Sequence, residues 1–342
     1  PRDAIYGLSL HKFSGPPQNN PRYVILFHMK ATKDNPYPKD FEEFMDWFAT
    51  EQDCHEYLEW VRWGDGFVCP KCGHAECWML ERGIRRCKKC RNLISVTNGT
   101  VFDSGKKSLR LWFHVIWLLM AQKTGISAKN FQDTFGFGSY QTTWGWLQKL
   151  RSVMIRKGRD LLSGRIEVDE TYIGGQKEGK RGRGADCKTL VLVAIEGEKG
   201  KKLGRVRFRI VDTHSSAAIK SFVSDYIAEG STVVTDGLKS YDFLDNVGMK
   251  HEKCIVSKKV SGADSNLEHV HLVVSLVKRW MLGTHQGAVT PQHMAEYLDE
   301  YAFRFNRRTS THRGKLFHRL VQQAATTRPK NIKDFYNHKE AK

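Results

Sequence analysis

The sequence has no long hydrophobic run, and no stretch approaches the roughly 18 apolar residues of a membrane span. Its first residues, PRDAIYGLSLHKF, lack the apolar core of a signal peptide. Cysteine is sparse, with 8 among 342 residues, which excludes a disulfide-rich scaffold. These absences predict a soluble, intracellular protein. At 342 residues the chain is long enough for two or three domains, each with its own core.

Acidic residues are also in short supply, because 37 Asp and Glu stand against 55 Lys and Arg. The net charge is +18 and the isoelectric point is about 9.5. A polyanion is the expected partner, and nucleic acid is the leading candidate. A basic protein with no such partner is the alternative that charge alone leaves open.

Half of the cysteines form two close pairs with 14 residues between them, namely Cys69 and Cys72, and Cys87 and Cys90. Each Cys-x-x-Cys pair makes a tight turn that can direct two thiolates at one ion, and two pairs complete a tetrahedral zinc shell. Four protein ligands leave no position for a water molecule, so the predicted zinc is structural. We interpret the nearby His74 and Cys77 as bystanders.

Helical spacing of apolar residues surrounds these pairs. Residues 41–63 predict one or two short helices, and residues 108–125 predict a buried helix. A helix, a turn with glycine and a second helix follow in residues 127–157, which is typical of a helix-turn-helix. This interpretation exposes three side chains toward a DNA groove: Gln141, Thr142 and Lys149. A small helical bundle has the same periodicity and stays open.

From Arg165 the period changes to that of strands. Five strands are predicted at 165–173, 189–197, 204–214, 231–237 and 251–257, with helices at 215–230 and from about 264 to 281. Three strands, a helix, two strands and a long helix are the order of a ribonuclease H-like fold. The first and fourth strands are neighbours in that fold, so we expect Asp169 beside Asp236.

Two carboxylates from separate strands repel each other unless a cation lies between them. Mg²⁺ prefers oxygen ligands and bridges to phosphate. Two such ions can activate the attacking oxygen and stabilise the leaving oxygen in phosphodiester cleavage. The alternative is that Asp169 is a strand-end residue and Asp236 begins a turn.

Several motifs occur together and in order: CPKCGH, SVTNGTVFDSGK, VDETYIGGQKEGKRGRGADCKT, VVTDGLKSY and SLVKRWMLGTHQGAVTPQHMAEYLDEYAFRFNRR. From about Phe41 to Arg308 the chain resembles the zinc-ribbon DDE transposases of bacterial insertion sequences, the group related to eukaryotic Merlin transposons. The expected fold class is multidomain α+β, with a mixed five-stranded ribonuclease H-like domain after a zinc ribbon and a helix-turn-helix. The expected segments are an N-terminal arm (1–37), a helical segment (38–64), the ribbon (65–104), the helix-turn-helix region (105–162), the catalytic domain (163–310) and a basic tail (311–342).

The resemblance implies an enzyme that binds the terminal inverted repeats of its element, cleaves the DNA ends and joins the 3′ ends to target DNA. Its implied cofactors are two Mg²⁺ or Mn²⁺ ions and one structural Zn²⁺. Its partners are double-stranded DNA and further copies of the chain, as a dimer or larger assembly on paired ends. The implied location is the bacterial nucleoid, or the nucleus for a eukaryotic element.

Carried over by motif, Asp169 is the first acid and Asp236 the second. In the family an acidic or amide residue stands seven positions before the Lys of the SLxKR element, which is Lys278 here. That position holds His271, whose neutral imidazole can bind a divalent ion. Glu268 is the alternative, or the helix adds no ligand; we interpret His269 as a surface residue.

Further DNA contacts are expected from a glycine-rich hairpin through Lys177, Lys180, Arg181 and Arg183, and from Lys278 and Arg279 near the cut. The basic end of a later helix is expected near DNA through Arg304, Arg307 and Arg308. Two rival functions remain. A structure-specific ribonuclease H-like nuclease shares fold and metals, and a catalytically inactive DNA-binding derivative is favoured by the missing glutamate.

Overall fold

A computed structural model gives the structure of the chain and describes residues 30–103, 107–156, 158–174, 188–198, 202–254, 267–330 and 334–335. In these ranges the helices are α1 (Phe41–Trp47), α2 (Glu51–Trp63), α3 (Leu109–Ala121), α4 (Ala128–Phe135), α5 (Tyr140–Arg151), α6 (Ser216–Tyr226), α7 (Glu268–His285), α8 (Met294–Phe305) and α9 (Arg313–Thr326). The strands are β1 (Cys77–Met79), β2 (Arg85–Cys87), β3 (Leu93–Ile94), β4 (Arg165–Ile173), β5 (Thr189–Glu196), β6 (Val206–Ile210), β7 (Thr232–Thr235) and β8 (Lys250–Lys253). No helix of the described ranges is both long and apolar enough to cross a membrane.

The first part of the molecule is a helical body made of α1 to α5 and α9. Side-chain caps begin several of its helices, such as Thr50 and Asp53, which form a capping box on α2. The core is rich in aromatic rings, and the indoles of Trp112 on α3 and Trp146 on α5 stack with their centroids 3.5 Å apart. The predicted helices are therefore held together mainly by burial of large apolar side chains.

Helix α9 closes this body from the other end of the sequence. Its buried residues Phe317 and Leu320 join the core formed by α1 to α5, and the helix contacts both α2 and α3. The sequence predicts only a basic tail in this region. The structure instead has an amphipathic helix, because the apolar residues of LFHRLVQQAA recur at helical spacing.

The second part is a mixed five-stranded sheet in the order β6-β5-β4-β7-β8. Strands β4, β5 and β6 pair antiparallel, whereas β7 is parallel to both β4 and β8. The predicted adjacency of the first and fourth strands is thus confirmed. Helices α7 and α8 pack on one face of the sheet and α6 packs on the other, which gives two apolar cores.

A buried ion pair lies where the two parts meet. Arg151, at the end of α5, donates from Nε to Glu300 of α8 over 2.7 Å, and both side chains are essentially inaccessible. Glu300 also binds Arg304, whose guanidinium donates to the carbonyl oxygens of Leu119 and Gln122. Arg304, which is expected near DNA from the sequence, has its charge directed within the protein, where it joins α8 to the helical body.

Candidate active site

The two predicted acids lie at neighbouring positions of adjacent parallel strands. The last described pair between β4 and β7 joins Glu167 to Val234. Two residues further on, each strand reaches its acid, Asp169 on β4 and Asp236 just after β7. Asp236 begins a turn, in which its Oδ1 accepts from the backbone N–H of Leu238 at 3.1 Å. The fold therefore brings together two carboxylates that are 67 positions apart in the sequence.

Asp169 and Glu170 point to opposite faces of the sheet, as alternate residues of a strand do. The hydroxyl of the buried Tyr241 donates to Oε2 of Glu170 over 2.9 Å, on the α6 side. Asp169 lies on the α7 side, where burial and then the Glu170 carboxylate raise its pKa to about 6, and Asp236 adds to this effect. Crowded negative charge at a half-buried strand position is typical of a site that takes a cation.

Helix α7 supplies the imidazole and the lysine that lie near Asp169. Nε2 of His271 lies 3.4 Å from Oδ2 of Asp169. Two turns later, Lys278 lines the same cleft, where burial and the neighbouring Lys188 lower its pKa and Asp169 counteracts the change. Glu268 is exposed at the start of the helix. Of the two alternatives for a third ligand, His271 is the one whose side chain reaches Asp169.

A buried contact fixes the start of α7 against the sheet, and sequence reasoning missed it. The carboxylate of Glu167, two residues before Asp169, lies 2.7 Å from Nδ1 of His269 and accepts from the N–H of Val270 at 2.9 Å. The prediction that His269 is a surface residue was wrong, since it is buried against β4. Gly197 leaves room for the ring, because a Cβ there would approach Nδ1 to 2.9 Å.

The cleft around the acids is open and has a volume of about 410 Å³. Besides the residues already named and Thr171 and Tyr172 of β4, it is lined by Lys188 before β5 and His214 after β6. Neither residue was predicted, because each lies at a strand end and only the sheet order brings it to the acids. Carboxylates, an imidazole and two lysines together suit a divalent ion and a phosphate group.

The donor set fits divalent ions in kind, since carboxylates suit Mg²⁺ and an added imidazole suits Mn²⁺. Its spacing is wider than that of a closed site. Among the described residues, the four cysteines are the group in which three or more potential ligand atoms lie within 4.8 Å of one another, and the acids and His271 do not form such a group. Asp169 and Asp236 therefore line one cleft and His271 lies beside Asp169, but the three side chains do not converge on a single point.

The four cysteines are arranged as two matching turns. The N–H of Gly73 donates to the carbonyl of Cys69 at 2.9 Å, and the N–H of Arg91 donates to that of Cys87 at 3.0 Å. Both Gly73 and Arg91 have positive φ, which only the glycine adopts without strain. The Sγ atoms of Cys69 and Cys90 are 3.6 Å apart, as are those of Cys72 and Cys87. Tetrahedral zinc with Zn–S bonds of about 2.3 Å would place sulfurs about 3.8 Å apart, so the cluster fits zinc.

The expected DNA-binding residues are only partly described. Gln141 and Thr142 are exposed at the start of α5, whereas Lys149 near its end is half-buried. Lys278 and Arg279 are exposed on α7. The remaining members of this set, Lys177, Lys180, Arg181 and Arg183, lie outside the described residues.

Comparison with known families identifies the class to which both sites point. Residues 161–306 match the family model of the ISXO2-like transposase domain, and residues 49–92 match that of the transposase zinc-ribbon domain. The first match contains the acids and His271, and the second contains all four clustered cysteines. The resemblance to zinc-ribbon DDE transposases is thereby confirmed.

A more particular similarity is to a protein of Halobacterium salinarum named as an uncharacterized protein in transposable element ISH50. The two sequences are 26% identical over 279 residues, which cover 75% of this chain and 91% of that protein. The similarity thus extends over three quarters of this chain.

Proposed function

We propose that the protein is a DNA transposase that cleaves the ends of its insertion sequence and joins the 3′ ends to target DNA. The observation that carries this proposal is that Asp169 and Asp236 line one open cleft from adjacent strands, with Nε2 of His271 3.4 Å from Asp169. The transposase family matches and the excess of basic residues support DNA as the substrate.

The roles of the residues follow from their positions. Asp169, Asp236 and His271 would hold two divalent ions, which supply Lewis-acid activation of the attacking oxygen and stabilisation of the leaving oxygen. Lys278 reaches into the same cleft and would bind a phosphate next to the scissile bond. Glu167 and His269 keep α7 in place, so that His271 stays opposite Asp169.

The finer architecture belongs to the same proposal. The strand order β6-β5-β4-β7-β8, with α7 and α8 on one face and α6 on the other, is that expected for a ribonuclease H-like domain. Helices α4 and α5, joined by a turn with Gly136 in the left-handed conformation, are suited to a helix-turn-helix that presents Gln141 and Thr142. The cysteine cluster would hold one structural zinc ion.

A strand-transfer assay tests the proposal with labelled DNA from both ends of the element that encodes the chain, in Mg²⁺ and in Mn²⁺. Asp169→Ala and Asp236→Ala are each expected to reduce cleavage and joining to background while end binding persists, because metal binding is lost and DNA-binding surfaces remain. Asp245→Ala, an exposed acid outside the cleft, is the control.

Three outcomes contradict the proposal in different ways. Activity that survives in both aspartate variants removes the acids from catalysis. Cleavage of branched DNA without any need for terminal repeats indicates a structure-specific nuclease. Tight end binding by the wild-type chain without cleavage in either metal indicates an inactive DNA-binding derivative.

Two ends must be cut and joined together, so we infer a dimer or larger assembly on paired ends. Mass measurement of the complex with end DNA is expected to give at least two chains. An active complex that contains one chain contradicts this part of the proposal.

A further inference from the structure

A second, arginine-lined cleft lies where the helical body meets the edge strand of the sheet. It has a volume of about 220 Å³ and shares no lining residue with the cleft around the acids. Its arginines come from three separate places in the chain. They are Arg156 and Arg159 between α5 and β4, Arg205 and Arg207 at the start of β6, and Arg307 just after α8.

The positive charge of this cleft is poorly balanced. Among the described residues that line it, Asp160 is the one carboxylate, and its contact with Arg156 is long, at 3.8 Å, and exposed. Arg205 is neutralised by Glu196, 2.5 Å away. Arg307 stacks on the ring of Phe303, with its guanidinium 3.9 Å from the ring centroid.

Arg207 is the most buried of these arginines, with 4% of its surface exposed. Two of its nitrogens donate to the carbonyl oxygens of Val206 and Asp160, at 3.0 and 2.8 Å. Its Nε, also buried, has no hydrogen-bond partner among the described residues. Burial, and after it Arg159 and Arg205, lower the pKa of Arg207 to about 10. A buried cationic donor surrounded by like charges is a strong binder for an oxyanion.

We propose that this cleft binds a backbone phosphate of DNA, an inference that rests on the proposed function. Guanidinium groups match the geometry of phosphate oxygens, and the cleft is lined by Arg156 and Arg159 from the segment after α5 and by Arg207 from β6. The volume is below the roughly 300 Å³ at which small-molecule pockets begin. A phosphate fits, while the sugars and bases attached to it remain outside, as they do in a polymer.

The position of the cleft gives this contact a mechanical role. Arg156 and Arg159 follow α5, whereas Arg207 belongs to the catalytic sheet. One phosphate held between them ties the helical body to the sheet along the same DNA. The contact is independent of sequence, so it strengthens binding to all DNA equally.

The test uses the full chain with Arg156→Gln and Arg159→Gln together. The matched control carries Lys220→Gln and Lys315→Gln, which remove the same charge from exposed positions outside the cleft. Duplex affinity is measured by fluorescence anisotropy over a range of salt concentrations. We expect the slope of log K against log salt to fall by about 1 in the arginine variant, equally for end DNA and for unrelated DNA, and to stay unchanged in the control.

Thermal unfolding of the free protein in inorganic phosphate, at constant ionic strength, supplies the second arm. Wild type and the lysine control are expected to gain stability, and the arginine variant is not. If the arginine variant keeps the salt slope of wild type, the cleft does not contact DNA. If inorganic phosphate nevertheless stabilises wild type and the lysine control but not the arginine variant, the ligand of the cleft is a free phosphorylated molecule. Absence of DNA binding in wild type overturns the proposed function as well, whereas absence of phosphate stabilisation overturns the cleft as an anion site.

Discussion

The two metal-binding candidates of this chain are built in opposite ways. The cysteine cluster comes from two short turns within residues 69–90, and its four sulfurs already lie within 4.8 Å of one another. The acid site draws Asp169, Asp236 and His271 from three distant segments, and the two aspartates line a cleft of about 410 Å³. One site is formed by local backbone geometry, and the other by the order of strands in a sheet.

This difference agrees with the roles proposed for the two sites. A closed shell of four ligands has no position for substrate and stabilises a fold. A site that holds ions together with a phosphodiester needs open coordination positions. Its protein ligands are therefore farther apart, and the substrate completes the coordination of the ions. The ribbon is therefore expected to depend on metal for folding, and the acid site to depend on metal for chemistry.

The largest expected effect tests the closed site. Cys87→Ser removes one ligand from the cluster, so we expect zinc content to fall from one ion per chain to none and the ribbon to become sensitive to limited proteolysis. Cys77→Ser is the matched control, since Cys77 lies opposite Cys87 in the β1–β2 register but outside the cluster. Equal zinc content in the two variants would mean that the cluster does not hold the ion.

The next effect tests the open site through its unusual member. His271→Ala is expected to impair cleavage severely, and His271→Glu to retain part of it by restoring a carboxylate. Mn²⁺ is expected to support the wild type at least as well as Mg²⁺, because it accepts imidazole more readily. Glu268→Ala is the control in the same DNA-cleavage assay. If Glu268→Ala abolishes cleavage and His271→Ala leaves it near normal, the third ligand is Glu268.

A smaller effect is expected from the residue that positions α7. Glu167→Gln keeps the size of the side chain but replaces one acceptor of the contact with His269 and Val270. Stability is expected to fall by about 1–3 kcal/mol, as for a buried hydrogen bond to a charged group. Cleavage should fall while DNA affinity is kept, and raised Mn²⁺ should partly restore the rate. If the loss of cleavage rate is explained by the loss of stability and does not respond to Mn²⁺ concentration, the role of Glu167 is purely structural.

The last effect is one of pH on the helical body that supports the ribbon. His318 of α9 is buried, with Nδ1 2.6 Å from the hydroxyl of Tyr57 on α2, and burial followed by Arg319 lowers its pKa to about 4. The imidazole is neutral when folded but takes up a proton below about 6.5 when unfolded, so stability is full above that pH and declines toward pH 4. Between pH 7 and 5 the expected loss is about 2 kcal/mol.

Thermal unfolding at pH 7 and 5 measures this loss, and His318→Asn should show less of it because its side chain stays neutral. If His318→Asn keeps the full pH dependence of wild type, other groups cause the loss of stability at low pH. The first candidate is His285 on α7, because burial also lowers its pKa to about 4.

Sequence patterns predicted features that depend on neighbouring residues. The cysteine turns, the helices with an apolar stripe and the strands were all predicted in this way. The element order of a ribonuclease H-like fold then predicted that the first and fourth strands are neighbours, which brings Asp169 to Asp236. The contact of Glu167 with His269 was not, because it joins residues 102 positions apart and neither one carries a motif. Helix α9 could have been found, since Leu316, Phe317 and Leu320 have helical spacing, but the basic composition around them concealed it.

The packing of α9 against α2 and α3 has a consequence for how the molecule is made. The five-stranded sheet is inserted between α5 and α9, so the helical core stays incomplete while the sheet is being synthesised. During translation the ribbon and its supporting helices emerge first, yet their core closes last, after α9 has left the ribosome. A chain cut short before Arg313 lacks Phe317 and Leu320 from that core. Premature termination at the C-terminal end would therefore destabilise α1 to α5, at the other end of the sequence.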